Sequence, residues 1–422
     1  MSGATAPVTP SASETPTPGH VSARKSQARA NTVAWIVAAL AMLGAAGCDG
    51  LGGQASPTAT VTVASQAATT VPTPAAEATT AATATQAMAV TAVTEATEAT
   101  APNTPASTAT SGAAAGTTFT NPVLRNDFPD PFVLEEGGVY YAYATNAQGK
   151  NVQVTSSTDL VKWKLSIEAM PATGPWARLG GSLVWAPEVI KIGEKYVLYY
   201  TARDKASDKQ CVGVAVADKP QGRFQDPNDG PLVCQADEGG TIDAAPFRDG
   251  DKLYLYYKND GNCCNKLTYL YAQEMAPDGL SLIGEPKQLV HNDKGWEGRV
   301  VEAPTMWKHE DKYYLFFSAN NYAGVEYAVG YANCETPLGP CEDAPENPIL
   351  ASRMDQKPLV IGPGHQTIIE DDDGETWLVY HAWEVTSAGL RGSSRFMWID
   401  RLTFEGGKPV VQGPTTDPQP VP

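Results

Sequence analysis

Aromatic residues are missing from the first quarter of the chain, where Trp35 alone precedes Phe119. Such a segment buries too little apolar surface to offset the entropy of ordering, so only the remainder is expected to build a core. Cations are scarce as well: 30 Lys and Arg stand against 47 Asp and Glu, a net charge of −17 in 422 residues. That balance argues against nucleic acid or an anionic membrane surface as partner, because both recruit basic proteins. A neutral ligand such as a sugar suits it better. Helix-period stretches are few, and no cysteines show zinc-finger spacing.

Only one long apolar run is present, Val33 to Ala46, and Arg24, Lys25 and Arg29 precede it. Charged residues followed by an apolar stretch make an export signal, and about 14 residues is short of the roughly 20 that span a bilayer. The run ends in Ala45-Ala46-Gly47-Cys48, which resembles the lipobox of bacterial lipoproteins and implies lipidation of Cys48. Ordinary signal cleavage and an uncleaved anchor are the alternatives. The protein is therefore expected to be exported, as a cell-surface lipoprotein or a secreted monomer, touching membrane only through its N-terminus. Residues 1–48 form the signal, and 49–118, rich in Ala, Thr and Pro, form a disordered linker. Apart from Cys48, six cysteines lie in the folded part, an even number that suits disulfides in an oxidising compartment. The short loop Cys334 to Cys341 is favoured, and then Cys211 to Cys234; the adjacent Cys263 and Cys264 stay ambiguous.

Residues 119–422 carry an internal repeat. A polar residue, usually close to proline, is followed by an aromatic strand: Asp130 with VYYAYAT, Glu188 with KYVLYYTA, Asp243 with KLYLYYKN, Glu302 with KYYLFFSA, and His365 with ETWLVYHA. The starts are spaced by about 55 to 63 residues, and hairpin turn signals such as EEGG, RDGD and DDDG lie between strands. An all-β, five-bladed β-propeller with four-stranded blades accounts for this, because inner strands of all blades open at one end of a shared channel. The five polar residues are thus expected around one pocket. Carboxylates crowded there repel each other and split their pKa values, which acid and base roles require.

The folded region from Asn121 to about Val411 resembles glycoside hydrolase family 43, the arabinofuranosidase, β-xylosidase and arabinanase group. NPVLRNDFPDPFV is similar to the family's opening segment and implies Asp130 as general base. TIDAAPFRDG implies Asp243 as the residue that modulates the acid, with Ala244 in place of the usual proline, and WEGRVVEAPTMW implies Glu302 as general acid. WAPEV around Trp185 and Glu188 matches a further signature, GPGHQT the segment of an axial histidine, and RFMWIDRLTF the closing strand. The resemblance implies inversion at a single displacement, with base and acid about 6.5–9.5 Å apart. Phe128 and Trp185 are expected to touch sugar, together with Glu188 and Arg395, while Trp176 and Trp296 are assigned to packing. His365 is either an axial metal residue, holding a calcium-like ion mainly through water, or a hydrogen-bonded core histidine. No cofactor is required for the chemistry. The implied activity is an exo-acting α-L-arabinofuranosidase on arabinan or arabinoxylan, with β-xylosidase and endo-1,5-α-L-arabinanase as enzyme alternatives. A non-catalytic carbohydrate-binding propeller is the alternative of another class.

Fatty-acid labelling tests the N-terminal reading. The wild-type protein should take up label, and label that persists in Cys48→Ala would refute lipidation there.

Overall fold

The computed structural model describes residues 117–178, 183–355, 357–385 and 391–422. The expected export signal and all but the last two linker residues lie outside these segments. Thr118 already belongs to a strand, Thr118–Phe119.

Five antiparallel sheets follow one another along the chain as propeller blades. Blade 1 comprises strands Phe132–Glu135, Tyr140–Ala144, Gln153–Ser157 and Ile167–Glu168. Blade 2 comprises Trp185–Ile192, Lys195–Arg203 and Gln210–Ala217; blade 3, Thr241–Asp249, Lys252–Asn259, Tyr269–Met275 and Leu282–His291. Blade 4 comprises Val301–His309, Lys312–Ala319, Ala328–Cys334 and Cys341–Asp343; blade 5, Val360–Glu370, Thr376–Glu384, Phe396–Glu405 and Lys408–Val411. The expectation of four strands per blade fails at blade 2. Beyond Ala217 the chain reads DKPQGRFQDPNDGP, and its prolines cannot donate to a ladder, so isolated bridges, Val216 with Gln225 and Val212 with Val233, stand where an outer strand would lie.

The second strand of each blade carries an unbroken apolar run because it feeds two interfaces. Side chains alternate across a strand, so successive residues enter opposite faces of the blade. Tyr196, Leu198 and Tyr200 pack towards blade 1, whereas Val197 and Tyr199 pack towards blade 3. Tyr254 and Tyr256 meet Leu315 and Phe317 between blades 3 and 4, and Tyr314 and Phe316 meet Leu378 and Tyr380 between blades 4 and 5. Trp377 and Val379 complete the ring against Tyr140 and Ala142 of blade 1. The core is therefore a set of inter-blade layers.

The ends of the propeller are stitched together beside blade 1. Thr118–Phe119 pairs antiparallel with Gln419–Pro420. The Asn121 side chain donates to Ile399 O at 2.7 Å and accepts from Ile399 N at 3.0 Å. Three disulfides form: Cys211–Cys234, Cys334–Cys341 and the adjacent pair Cys263–Cys264.

Tyr256 tests this layered core, since its ring is fully buried and its hydroxyl donates to Pro337 O at 2.6 Å. Tyr256→Ala should cost about 3–5 kcal/mol of stability. Tyr256→Phe should cost about 1–2 kcal/mol, the share of the hydroxyl. Urea unfolding midpoints check both, and equal losses would contradict a packing role for the ring.

Candidate active site

Each inner strand carries, just before it or no later than its midpoint, one non-glycine residue in the left-handed backbone region: Asp130 (φ 56°), Ala186 (43°), Asp243 (57°), Ala303 (54°) and His365 (51°). These positions are the true repeat equivalents. Glu302 therefore sits one residue before its blade's left-handed position, and Glu188 two after, which corrects the expectation that all five polar residues are equivalent. Left-handed geometry costs a non-glycine residue roughly 1–2 kcal/mol, so neighbours must hold it. They do so through the backbone N–H. Ala186 donates to Thr145 Oγ1 at 2.8 Å, Ala303 to Asp243 Oδ2 at 3.1 Å, His365 to Ser318 Oγ at 2.7 Å and Asp130 to His381 Nδ1 at 3.2 Å. In every case the acceptor lies on the preceding blade of the ring.

Asp130, Asp243, Glu302, His365, Trp185 and Arg395 line one cavity of about 350 Å³. Asp130 lies in a cationic niche: Arg395 donates to its Oδ1 at 2.8 Å, His365 Nδ1 and His381 Nδ1 stand 3.3 Å from the same oxygen, and Thr145 donates to Oδ2 at 2.5 Å. Burial by itself would push this carboxyl up, but the Arg395 guanidinium, and then the neighbouring His365, hold it well below the usual range. It is ionised. Burial pushes His381 down to about 4, so the ring is neutral and accepts the Asp130 N–H through Nδ1.

Asp243 has the opposite surroundings. Burial, helped by nearby Glu302 and opposed by His365 and Lys258, pushes it up to about 6. Glu302 Oε1 accepts from Tyr327 at 2.7 Å, and Oε2 faces the buried ammonium of Lys258 at 3.2 Å. Lys258 is placed there by register, since it pairs with Ile242, the residue before Asp243. The Ala303 N–H on Asp243 Oδ2 joins the two carboxylates through one peptide. One cavity thus holds an ionised carboxylate, Asp130, and beside Glu302 a second carboxyl, Asp243, that keeps its proton up to about pH 6.

Several expectations need correction. Phe128 is fully buried between blades 5 and 1 and cannot touch a ligand; Tyr322 takes its place on the cavity wall, with the Arg395 guanidinium 4.9 Å above its ring. Glu188 does not line the cavity, and burial followed by the charge of Asp243 pushes its carboxyl well up. Trp176 is buried with its indole N–H on Asp226, and Trp296 packs against Phe317. Residues the sequence reading missed are Thr145, Lys258, Ser318 and His381. A signal existed, because each is the first polar residue after the apolar run of a second strand. Asp260 also lines the cavity, burial pushing it up to about 6, and its irregular segment carried no such signal.

The donors around His365 do not fit a protein-built cation cage. A calcium-type ion takes six to eight oxygens. Among the described residues, no three His, Cys, Asp or Glu ligand atoms that include His365 lie within 4.8 Å of one another, and Asp130 is already held by Arg395. The side-chain partner of His365 is Asp130, 3.3 Å away.

Lys258 favours the deprotonated form of Asp243, so its removal should raise the pH at which Asp243 gives up its proton. Carboxyl ¹³C NMR of Lys258→Met should place the Asp243 titration about one unit or more above the wild-type position. An unmoved or lowered titration would contradict the assigned electrostatics.

Comparison with known proteins agrees with this geometry. A thermostable family-43 glycoside hydrolase of solved structure superposes with a TM-score of 0.65 and 37% identity, covering 72% of this chain and 99% of that one. The "Xylosidase/arabinosidase 43B" of Humicola insolens is 29% identical over 270 residues, 62% of this chain and 48% of the relative. The "Extracellular endo-alpha-(1->5)-L-arabinanase" of Thermotoga petrophila is 27% identical, covering 60% of each chain. The chain thus spans about half to three fifths of the length of these two relatives. The profile of Glycosyl hydrolases family 43 matches residues 119–409, the whole ring of blades, and the chain belongs to that family of glycosidases.

Proposed function

We propose that the protein is an inverting, exo-acting α-L-arabinofuranosidase on arabinan or arabinoxylan. The observation that carries this reading is the pairing, in one cavity, of an ionised Asp130 with Glu302 and its neighbour Asp243, whose carboxyl is pushed up to about 6. Asp130 takes a proton from water on one face of the sugar. Glu302 gives a proton to the departing glycosidic oxygen on the other. Asp243 touches neither reacting atom; its charge keeps the proton available to Glu302, and its carboxylate positions the Ala303 peptide. Trp185 and Tyr322 supply apolar walls, and Arg395 both fixes Asp130 and faces the ring hydroxyls.

The cavity continues past Glu302 into a second depression that shares Asn262, Cys263, Glu302 and Tyr322 with it. That side receives the leaving group. A cleft running on in this way also favours a second reading, endo-1,5-α-L-arabinanase, whereas β-xylosidase differs only in the sugar held beside Asp130. The reaction so read uses no cofactor, and an ion held by His365 through water would serve only structure. Export, with Cys48 as tether, belongs to the same proposal; among the described residues no helix is long and apolar enough to cross a membrane.

Incubation with aryl α-L-arabinofuranoside, aryl β-D-xyloside and linear arabinan, with products and anomers followed by NMR, separates these readings. Arabinose released with inverted configuration is expected; longer arabino-oligosaccharides would favour endo action, and retained configuration would sink the mechanism. Glu302→Ala should lose about 10²–10⁴-fold in kcat/KM on natural oligosaccharides. It should lose far less on dinitrophenyl glycosides, whose leaving group departs as an anion, and equal losses would remove Glu302 from the acid role.

A further inference from the structure

Outside the cavity, Asp293, Glu297 and Asp343 bring one carboxylate oxygen each within 4.8 Å of the others. Asp293 and Glu297 belong to the link between the last strand of blade 3 and the first of blade 4, and Asp343 ends the outermost strand of blade 4. Acidic clusters on protein surfaces are common and carry little meaning. Here a second observation points to a ligand. Glu297 is completely buried; its Oε2 accepts the backbone N–H groups of Asp293 at 2.8 Å and Lys294 at 2.7 Å, while Oε1 is buried with no hydrogen-bond partner among the described residues. Asp343 Oδ1 is likewise buried without a partner.

Two orphaned anionic oxygens in one cluster are costly unless a cation or a proton satisfies them. The cation at hand is Lys294, whose Nζ lies 2.9 Å from Asp293 Oδ1 but 3.8 Å from Asp343 Oδ2, beyond hydrogen-bond reach. His291 Nε2 stands 3.9 Å from Asp293 Oδ2. Neither reaches the buried oxygens of Glu297 and Asp343. Burial pushes Glu297 up to about 7, as expected of a carboxylate lacking its counter-charge. All donors are hard oxygens, and two oxygens bound to one calcium at about 2.4 Å lie no more than about 4.8 Å apart.

We propose that Asp293, Glu297 and Asp343 form a calcium site that ties the link between blades 3 and 4 to the outer edge of blade 4. Three carboxylates against one ammonium leave two negative charges for a divalent ion, and water completes its coordination from the exposed side of Asp293. The site is separate from the His365 axis. It acts on stability, and it anchors the segment that runs directly into Glu302.

The test uses the full chain stripped with EDTA and returned to metal-free buffer, with thermal unfolding followed as CaCl₂ or MgCl₂ is added. Calcium at a hundred times its Kd should raise Tm by at least about 3 °C, and terbium should give tryptophan-sensitised luminescence that calcium displaces. Asp343→Asn and the more exposed Asp293→Asn should each abolish both responses, while His365→Ala should keep them. No rise with either ion in the wild type would overturn the proposal and leave a proton shared between Glu297 and Asp343. A rise that survives in both Asn variants and vanishes in His365→Ala would place the ion on the axis and overturn it equally.

Discussion

The structure depends on one repeated hydrogen bond, the N–H of a left-handed residue at the mouth of an inner strand, accepted by a side chain of the preceding blade. Four of the five blades show it, through Thr145, Asp243, Ser318 and His381. The bond offsets an unfavourable backbone conformation, and it sets each blade's angle to its neighbour at the end where chemistry occurs. A left-handed residue also turns its own side chain away from the regular pleat. Asp130, Asp243 and His365 thereby reach the shared cavity instead of the inter-blade layers.

Variation on this motif creates the electrostatic contrast of the site. In blade 5 the acceptor is an imidazole, and His381 places a neutral ring beside Asp130 where Arg395 supplies positive charge. In blade 3 the corresponding position is Lys258, which cannot accept. Asp243 accepts the Ala303 N–H instead, and the ammonium turns to Glu302. In blade 2 it is Thr201, whose hydroxyl finds no partner among the described residues. The departures from the repeat, at blades 3 and 5, surround the carboxylates with the most different environments. A symmetric ring would give every carboxylate the same surroundings and no division between base and acid.

The cavity walls and the inter-blade layers impose opposite demands on aromatic residues. Phe128 lies two residues from Asp130 yet belongs wholly to the layer between blades 5 and 1, while Tyr322, 48% exposed, stands on a loop after a second strand. In a regular strand residues two apart would share a face; Phe128 and Asp130 both precede strand Phe132–Glu135, and the left-handed backbone of Asp130 separates their directions.

Much of this protein is determined by its sequence alone. The aromatic strands, apolar on both faces and recurring at near-constant spacing, specify five blades. The order of NDFPDPF, TIDAAPF and VVEAPTMW places Asp130, Asp243 and Glu302 at the head of three of them. These features are local, so a linear reading can see them. Tertiary structure alone decided the phase within each repeat, which makes Ala186 and Ala303 the equivalents of Asp130 and leaves Glu188 outside the cavity. It also decided which charges meet. Lys258 reaches Glu302 across 44 residues and Arg395 reaches Asp130 across 265, contacts set by strand register and ring closure rather than by neighbouring residues. A pKa follows burial and the charges within a few ångströms, and no linear pattern records those distances.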